Sequence, residues 1–188
     1  MSGTTYCLTA FPSSYDGAIE QRFRGREDDM STETRIAELG LDVPDFVRDG
    51  YYGASYGSMK PFHIAGNLLF LSGHVPQRGT TVVFPGRLGA DLTVAQGREA
   101  ARLTGLNVIA GIRQAVGDLD RVKSIVRSLN FVVCTPDFTE VHNVSSGLSD
   151  LLAELFGPER GIGGRATIGV MALAGGNCFE TWVTVELR

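Results

Sequence analysis

The sequence predicts an α+β fold, a mixed β-sheet carrying two helices on one face. Three observations predict it. A hairpin pattern opens the core near Pro61, two long stretches carry apolar residues at helical spacing, and short alternating runs lie between and after them. One sheet that covers both apolar stripes is the economical way to bury them.

Residues 1–30 come first. They carry Thr, Ser and Gly and then the charge cluster Arg22, Arg24, Arg26, Glu27, Asp28 and Asp29, with no sustained periodicity. An N-terminal extension is expected there, either a loosely docked tail or an arm on a neighbouring subunit, and one domain over 31–188. Ser31 to Leu41 has a Ser or Thr cap, Glu33 behind it, and apolar Ile36, Leu39 and Leu41 stopped by Gly40, the pattern of a short helix. Tyr51 to Ser58, rich in Gly, Tyr and Ser, reads as a turn or loop. Phe62 to Ala65 and Leu68 to Ser72 are extended runs split by the hairpin dipeptide Gly66-Asn67. Thr81 to Phe84 supplies another short strand before Pro85-Gly86.

Thr93-Val94-Ala95-Gln96 has capping-box spacing, so a long helix starts here and runs to about Gly117. Val94, Ala101, Gly105, Val108, Ile109, Ile112 and Val116 form its apolar stripe, and the gap at Gly105 predicts close packing on the sheet. From Val122 to Thr135 the residues Ile125, Leu129, Phe131 and Val133 share one parity, the mark of a long strand. Thr135-Pro136 reads as the start of the second helix, with Phe138, Val141, Leu148, Leu151, Leu152 and Leu155 on its buried face and Gly157-Pro158 as its end. After the permissive loop Gly161 to Gly164, strands over Ala166 to Leu173 and Phe179 to Leu187 are expected as a hairpin joined by Ala174-Gly175-Gly176-Asn177.

Composition narrows the function classes. No apolar run approaches the roughly 20 residues that cross a bilayer, so no membrane span is expected. No Lys or Arg precedes Arg22, which is not the plan of a secretory signal, and a cytoplasmic protein is expected. Cys7, Cys134 and Cys178 are too scattered for a disulfide framework and read as buried or inert thiols. His63, His74 and His142 lack metal-ligand spacing, so no metal is expected. A net charge of −4 argues against long-range attraction to nucleic acid. There is no nucleophile elbow, phosphate loop or dinucleotide fingerprint.

The residues left to carry chemistry are few. Arg165 lies between the Gly-rich loop and a strand, where its planar fork can hold a carboxylate by two parallel hydrogen bonds. Glu180 alternates away from the apolar face of the last strand, where a carboxylate can orient water or accept its proton. Ser72-Gly73-His74 follows a buried strand, with Gly73 open to close approach, and His74 and His142 are possible acid-base groups. Read without any resemblance, a solvated or salt-bridged loop arginine and a surface glutamate are the favoured readings.

Four segments then align in order with a known family: Gly66 through Pro76 (GNLLFLSGHVP), Gly97 through Asn107 (GREAARLTGLN), Val116 through Val122 (VGDLDRV), and Ser149 through Gly157 (SDLLAELFG) followed by Arg165. Over residues 60–188 the chain resembles the Rid (YjgF-like, endoribonuclease L-PSP-like) family, and most resembles its branch with a longer N-terminal region. The resemblance implies a chorismate-mutase-like fold assembled as a homotrimer, with clefts between neighbouring subunits. It also implies hydrolysis of small imines or enamines derived from amino acids to ketoacids and ammonia, with no cofactor. In that reading Arg165 grips the substrate carboxylate, while Glu180 and backbone groups near Gly73 and Thr167 place water. Ser72, His74, His142 and Tyr56 complete the expected substrate contacts. Met59 stands where the family carries a tyrosine, with Tyr56 close by, and His142 stands for an asparagine. Gly164 and the missing Leu-Pro after the penultimate strand imply a reshaped cleft rim. The rival readings are a non-enzymatic trimer that binds small carboxylates or a regulatory partner, and then an endoribonuclease.

Overall fold

The computed structural model describes residues 30–188. The expected N-terminal extension, with Cys7, otherwise lies outside the described residues. Helix α1 (Thr32–Glu38) is capped by the Ser31 hydroxyl, which accepts from the Thr34 N–H. A one-turn helix α2 (Phe46–Asp49) and a 3-10 helix (Tyr52–Tyr56) follow, so the stretch expected as an open turn is partly helical. Strands β1 (Phe62–Ala65) and β2 (Leu68–Leu71) form the expected hairpin, with Gly66 at positive φ in its turn. Strands β3 (Gln77–Arg78) and β4 (Thr81–Val82) make a separate small ribbon.

The long helix α3 (Val94–Val116) begins on the expected capping box of Thr93 and Gln96 and ends at Gly117. Strand β5 (Val122–Val133), helix α4 (Val141–Phe156), a one-turn helix α5 (Pro158–Gly161), strand β6 (Gly164–Val170) and strand β7 (Phe179–Leu187) complete the chain. The five-stranded sheet runs β1-β2-β7-β5-β6. It is mixed, because β5 and β6 are parallel across the α4 crossover while the other pairs are antiparallel.

The core lies between one sheet face and the two long helices. Leu69, Leu71, Phe179, Val183 and Val185 meet Val108, Ile109 and Ile112 of α3 and Leu148, Leu151 and Leu152 of α4. Each such side chain fully withdrawn from water contributes about 1.5–3 kcal/mol.

Four expectations are corrected. Gly105 packs on α4, not on the sheet: a methyl there would fall 2.7 Å from Leu151 Cδ2. The last two strands are not a hairpin, because β5 lies between β6 and β7. β5 does not keep one parity, since register shifts at Val122/Ser124 and Ile125/Arg127 reverse its facing. Val122, Ile125, Ser128, Asn130 and Val132 therefore point inward, and Leu129 and Phe131 turn to the opposite face. Finally, α4 starts at Val141, not at Pro136. The Thr135 N–H is held by the Leu88 carbonyl (3.0 Å), and that pairing keeps the chain extended past the strand. Cys178 is fully buried, and burial pushes its thiol up to about 11. Among the described residues, no helix is long and apolar enough to cross a membrane.

Candidate functional site

Register decides where each candidate side chain points. Arg165 stands opposite Ser128 and Thr167 opposite Asn130, on the sheet face that carries the helices. There the Arg165 guanidinium donates from Nη1 to the hydroxyls of Ser149 (3.1 Å) and Ser146 (3.4 Å) on α4. His142 precedes these serines by whole turns of the same helix, so the three share one face. Arg165 is exposed, and no carboxylate pairs with it among the described residues. A guanidinium in that state retains donors for an incoming anion.

A buried polar chain lies behind Arg165. The Thr181 hydroxyl donates to Asn130 Oδ1 at 2.6 Å, and the hydroxyls of Ser145 and Thr167 share a hydrogen bond of 2.7 Å. Asn130 Nδ2 reaches toward Thr167 Oγ1 at 3.5 Å, linking β7, β5, β6 and α4. Asn130, Ser145 and Thr181 are fully buried, so these bonds satisfy groups that water cannot reach.

Glu180 stands opposite Phe131, on the sheet's other face. Its Oε1 accepts the Trp182 indole N–H at 2.7 Å. Both border a cleft of about 440 Å³ between β7, the end of β2 and the 3-10 helix, which brings in Tyr51, Tyr52, Tyr56 and Met59. Ser72 and Gly73 form its floor. Gly73 leaves room for the Glu180 carboxyl group: a methyl there would lie 2.9 Å from Glu180 Cδ and 3.2 Å from Trp182 Nε1, so the Glu180 side chain would have to move. The Tyr51 hydroxyl donates to the Gly73 carbonyl, and the Ser72 hydroxyl to the Lys60 carbonyl, fixing that floor. Burial and then the nearby Glu180 charge push the Tyr51 phenol well above its ordinary range, so it remains a donor.

The sequence candidates thus fall into two groups. Tyr56, Ser72, Gly73 and Glu180 share the cleft, while Arg165, His142 and Thr167 lie on the helix-bearing side, and one chain does not bring the groups together. His74 joins neither. Its ring is buried among Phe46, Tyr51 and Tyr52, with Nδ1 against the Ser72 carbonyl at 2.7 Å and Nε2 without a partner, and burial lowers its pKa to about 4. Sequence reasoning missed Tyr51, Tyr52, Ser146, Ser149 and the Asn130 network. Ser128 and Asn130, polar at alternate positions of an apolar strand, were the available signal for the last.

Residues 33–178 match the family model described as "YjgF/chorismate_mutase-like, putative endoribonuclease". The chain belongs to the YjgF-like Rid family. This Rid chain is 42% identical over 153 residues to Protein TCP17 of Trypanosoma cruzi, covering 81% of the chain and 92% of that protein. It is also similar to the structure of Atu1372 from Agrobacterium tumefaciens, with 31% identity, TM-score 0.74, and 84% and 94% of the two chains covered. A Shewanella oneidensis structure described as a "putative endoribonuclease" gives 32% identity and TM-score 0.77, covering 84% of this chain and all of that one (100%). Escherichia coli TdcF, solved with bound serine, shares the fold at 18% identity and TM-score 0.51, over 70% of this chain and 89% of its own. The mixed sheet with its two long helices is the fold expected of the Rid family.

Proposed function

We propose that this Rid protein hydrolyses small enamines or imines derived from amino acids, releasing a ketoacid and ammonia. It works in the cytoplasm, without a cofactor, at clefts shared between protomers of a homotrimer. The observation that carries this reading is the division of the candidate groups. Arg165, a carboxylate-binding fork with no acidic partner among the described residues, lies on one sheet face, and the cleft holding Glu180 opens on the other. A neighbouring protomer that seats its Arg165 edge at the cleft supplies the half each chain lacks. The Glu180-bearing face also exposes Phe70, Ile168 and Trp182, apolar surface of the kind that assembly covers.

In this mechanism Arg165 grips the substrate carboxylate through two parallel hydrogen bonds and fixes the C=N carbon in the cleft. The backbone near Gly73 and Thr167 places water, and His142 borders the anion. Glu180 Oε2, the oxygen that Trp182 leaves free, takes a proton from water as its oxygen bonds to the C=N carbon. Glu180 passes that proton to nitrogen, giving the carbinolamine, then carries the carbinolamine's hydroxyl proton to nitrogen as the C=O bond forms and the C–N bond breaks, so ammonia and the ketoacid leave and Glu180 is again a carboxylate. The serine bound in TdcF, an amino acid, carries the carboxylate that this scheme asks Arg165 to hold.

The test is ketoacid formation from freshly generated 2-iminobutyrate or 2-aminoacrylate, measured above the spontaneous rate. Arg165→Ala is expected to lower kcat/KM by on the order of a hundredfold or more, and Arg165→Lys to recover only part, because the fork is lost and the charge kept. Equal rates for native protein and Arg165→Ala contradict the mechanism. Ligand binding that depends on Arg165 without turnover favours the binding-protein reading.

A further inference from the structure

The walls of the Glu180 cleft are aromatic, and each polar end holds one hydrogen bond. Tyr51 and Tyr52 spend their hydroxyls on the backbone of Gly73 and Val75, the latter at 2.9 Å from the Val75 nitrogen. The Tyr56 hydroxyl accepts from Gln77 Nε2 at 3.2 Å, and the Trp182 indole N–H is held by Glu180. The Tyr52 and Tyr56 hydroxyls accept in these bonds and keep an O–H to donate, but the larger part of what the four rings turn toward a ligand is carbon surface, and Met59 adds an adaptable thioether.

Volume points the same way. On one protomer the cleft measures about 440 Å³, inside the range of clefts that hold drug-sized ligands and more than a three-carbon imino acid fills. A small substrate there leaves rings wet and itself loosely held, whereas a large apolar group displaces that water and packs against the rings.

Resting on the hydrolytic reading above, we infer that this cleft selects imines and enamines bearing a bulky apolar side chain, aromatic above all, over three-carbon ones. Tyr51, Tyr52, Tyr56, Met59 and Trp182 are its specificity wall. The carboxylate end is read by Arg165, and the side chain by the rings.

The test uses the full chain in its native assembly. An L-amino acid oxidase generates imines in situ from phenylalanine and from alanine, and ketoacid release is followed above the spontaneous rate. The expected kcat/KM is at least about tenfold higher for the phenylalanine-derived imine. Met59→Trp, which narrows the cleft, is expected to reduce that ratio, the readout being the ratio and not either rate alone. A ratio near one, or one favouring alanine, overturns the inference while leaving the hydrolytic reading standing. If neither imine is turned over, the hydrolytic reading falls and equilibrium binding of the product ketoacids decides the specificity wall. Phenylpyruvate bound at least about tenfold tighter than pyruvate supports it, and equal or weaker binding overturns it.

Discussion

Arg165 and Glu180 point from opposite faces of the same sheet. Arg165 registers with Ser128 on β5 and Glu180 with Phe131, positions of opposite parity on a strand that is regular between them. No rotamer change carries a side chain through a hydrogen-bonded sheet, so a ligand that needs both groups needs two chains.

Assembly should therefore control activity. Ile168→Asp places a charge on the exposed Glu180-bearing face, away from the cleft lining. Sedimentation is expected to show the proposed trimer for the native protein and monomer for the variant, with imine hydrolysis lost and the far-ultraviolet spectrum unchanged. A trimeric, active Ile168→Asp protein contradicts the proposed face.

Gly73→Ala tests how Glu180 is seated. The added methyl meets the Glu180 carboxyl group and must displace it. Turnover is expected to fall by about tenfold or more, more in kcat than in KM, with little change in the denaturation midpoint.

The buried network behind Arg165 makes a stability prediction. Thr181→Val removes the hydroxyl that donates to Asn130 Oδ1 and leaves a fully buried acceptor short of a partner. Urea denaturation is expected to show a loss of about 1–3 kcal/mol. No loss is the outcome against it.

His74 makes the fold sensitive to acid. Burial lowers its folded pKa to about 4, against about 6.5 when unfolded, so between those values the unfolded chain binds more protons. The contribution, roughly 3 kcal/mol, is fully present above about pH 6.5 and is lost as the pH falls toward 4. Denaturation midpoints at pH 7 and pH 4.5 are expected to differ more for the native protein than for His74→Gln. Identical pH dependence in the two proteins contradicts this.

Much of the fold was legible because its signals are local. Gly66-Asn67 sets the β1-β2 hairpin because its turn needs nothing distant, and Thr93 with Gln96 caps α3 without tertiary help. What stayed hidden depends on distant partners. Thr135 looks like a cap until Leu88 claims its N–H, and β6 looks like the mate of β7 until β5 enters between them. Glu180 was legible because strand alternation alone sets its face. Tyr51 and Tyr52 were not, because only folding carries their rings to Gly73 and Val75.

The most direct measurement mixes two disabled proteins. Arg165→Ala and Glu180→Gln, each expected to be nearly inactive alone, are unfolded together in equal amounts and refolded. Sites that join Arg165 of one protomer to Glu180 of the next are intact in about one quarter of random trimers' clefts, so imine hydrolysis should return to about a quarter of the native level. A mixture as inactive as its parents contradicts a site shared between chains.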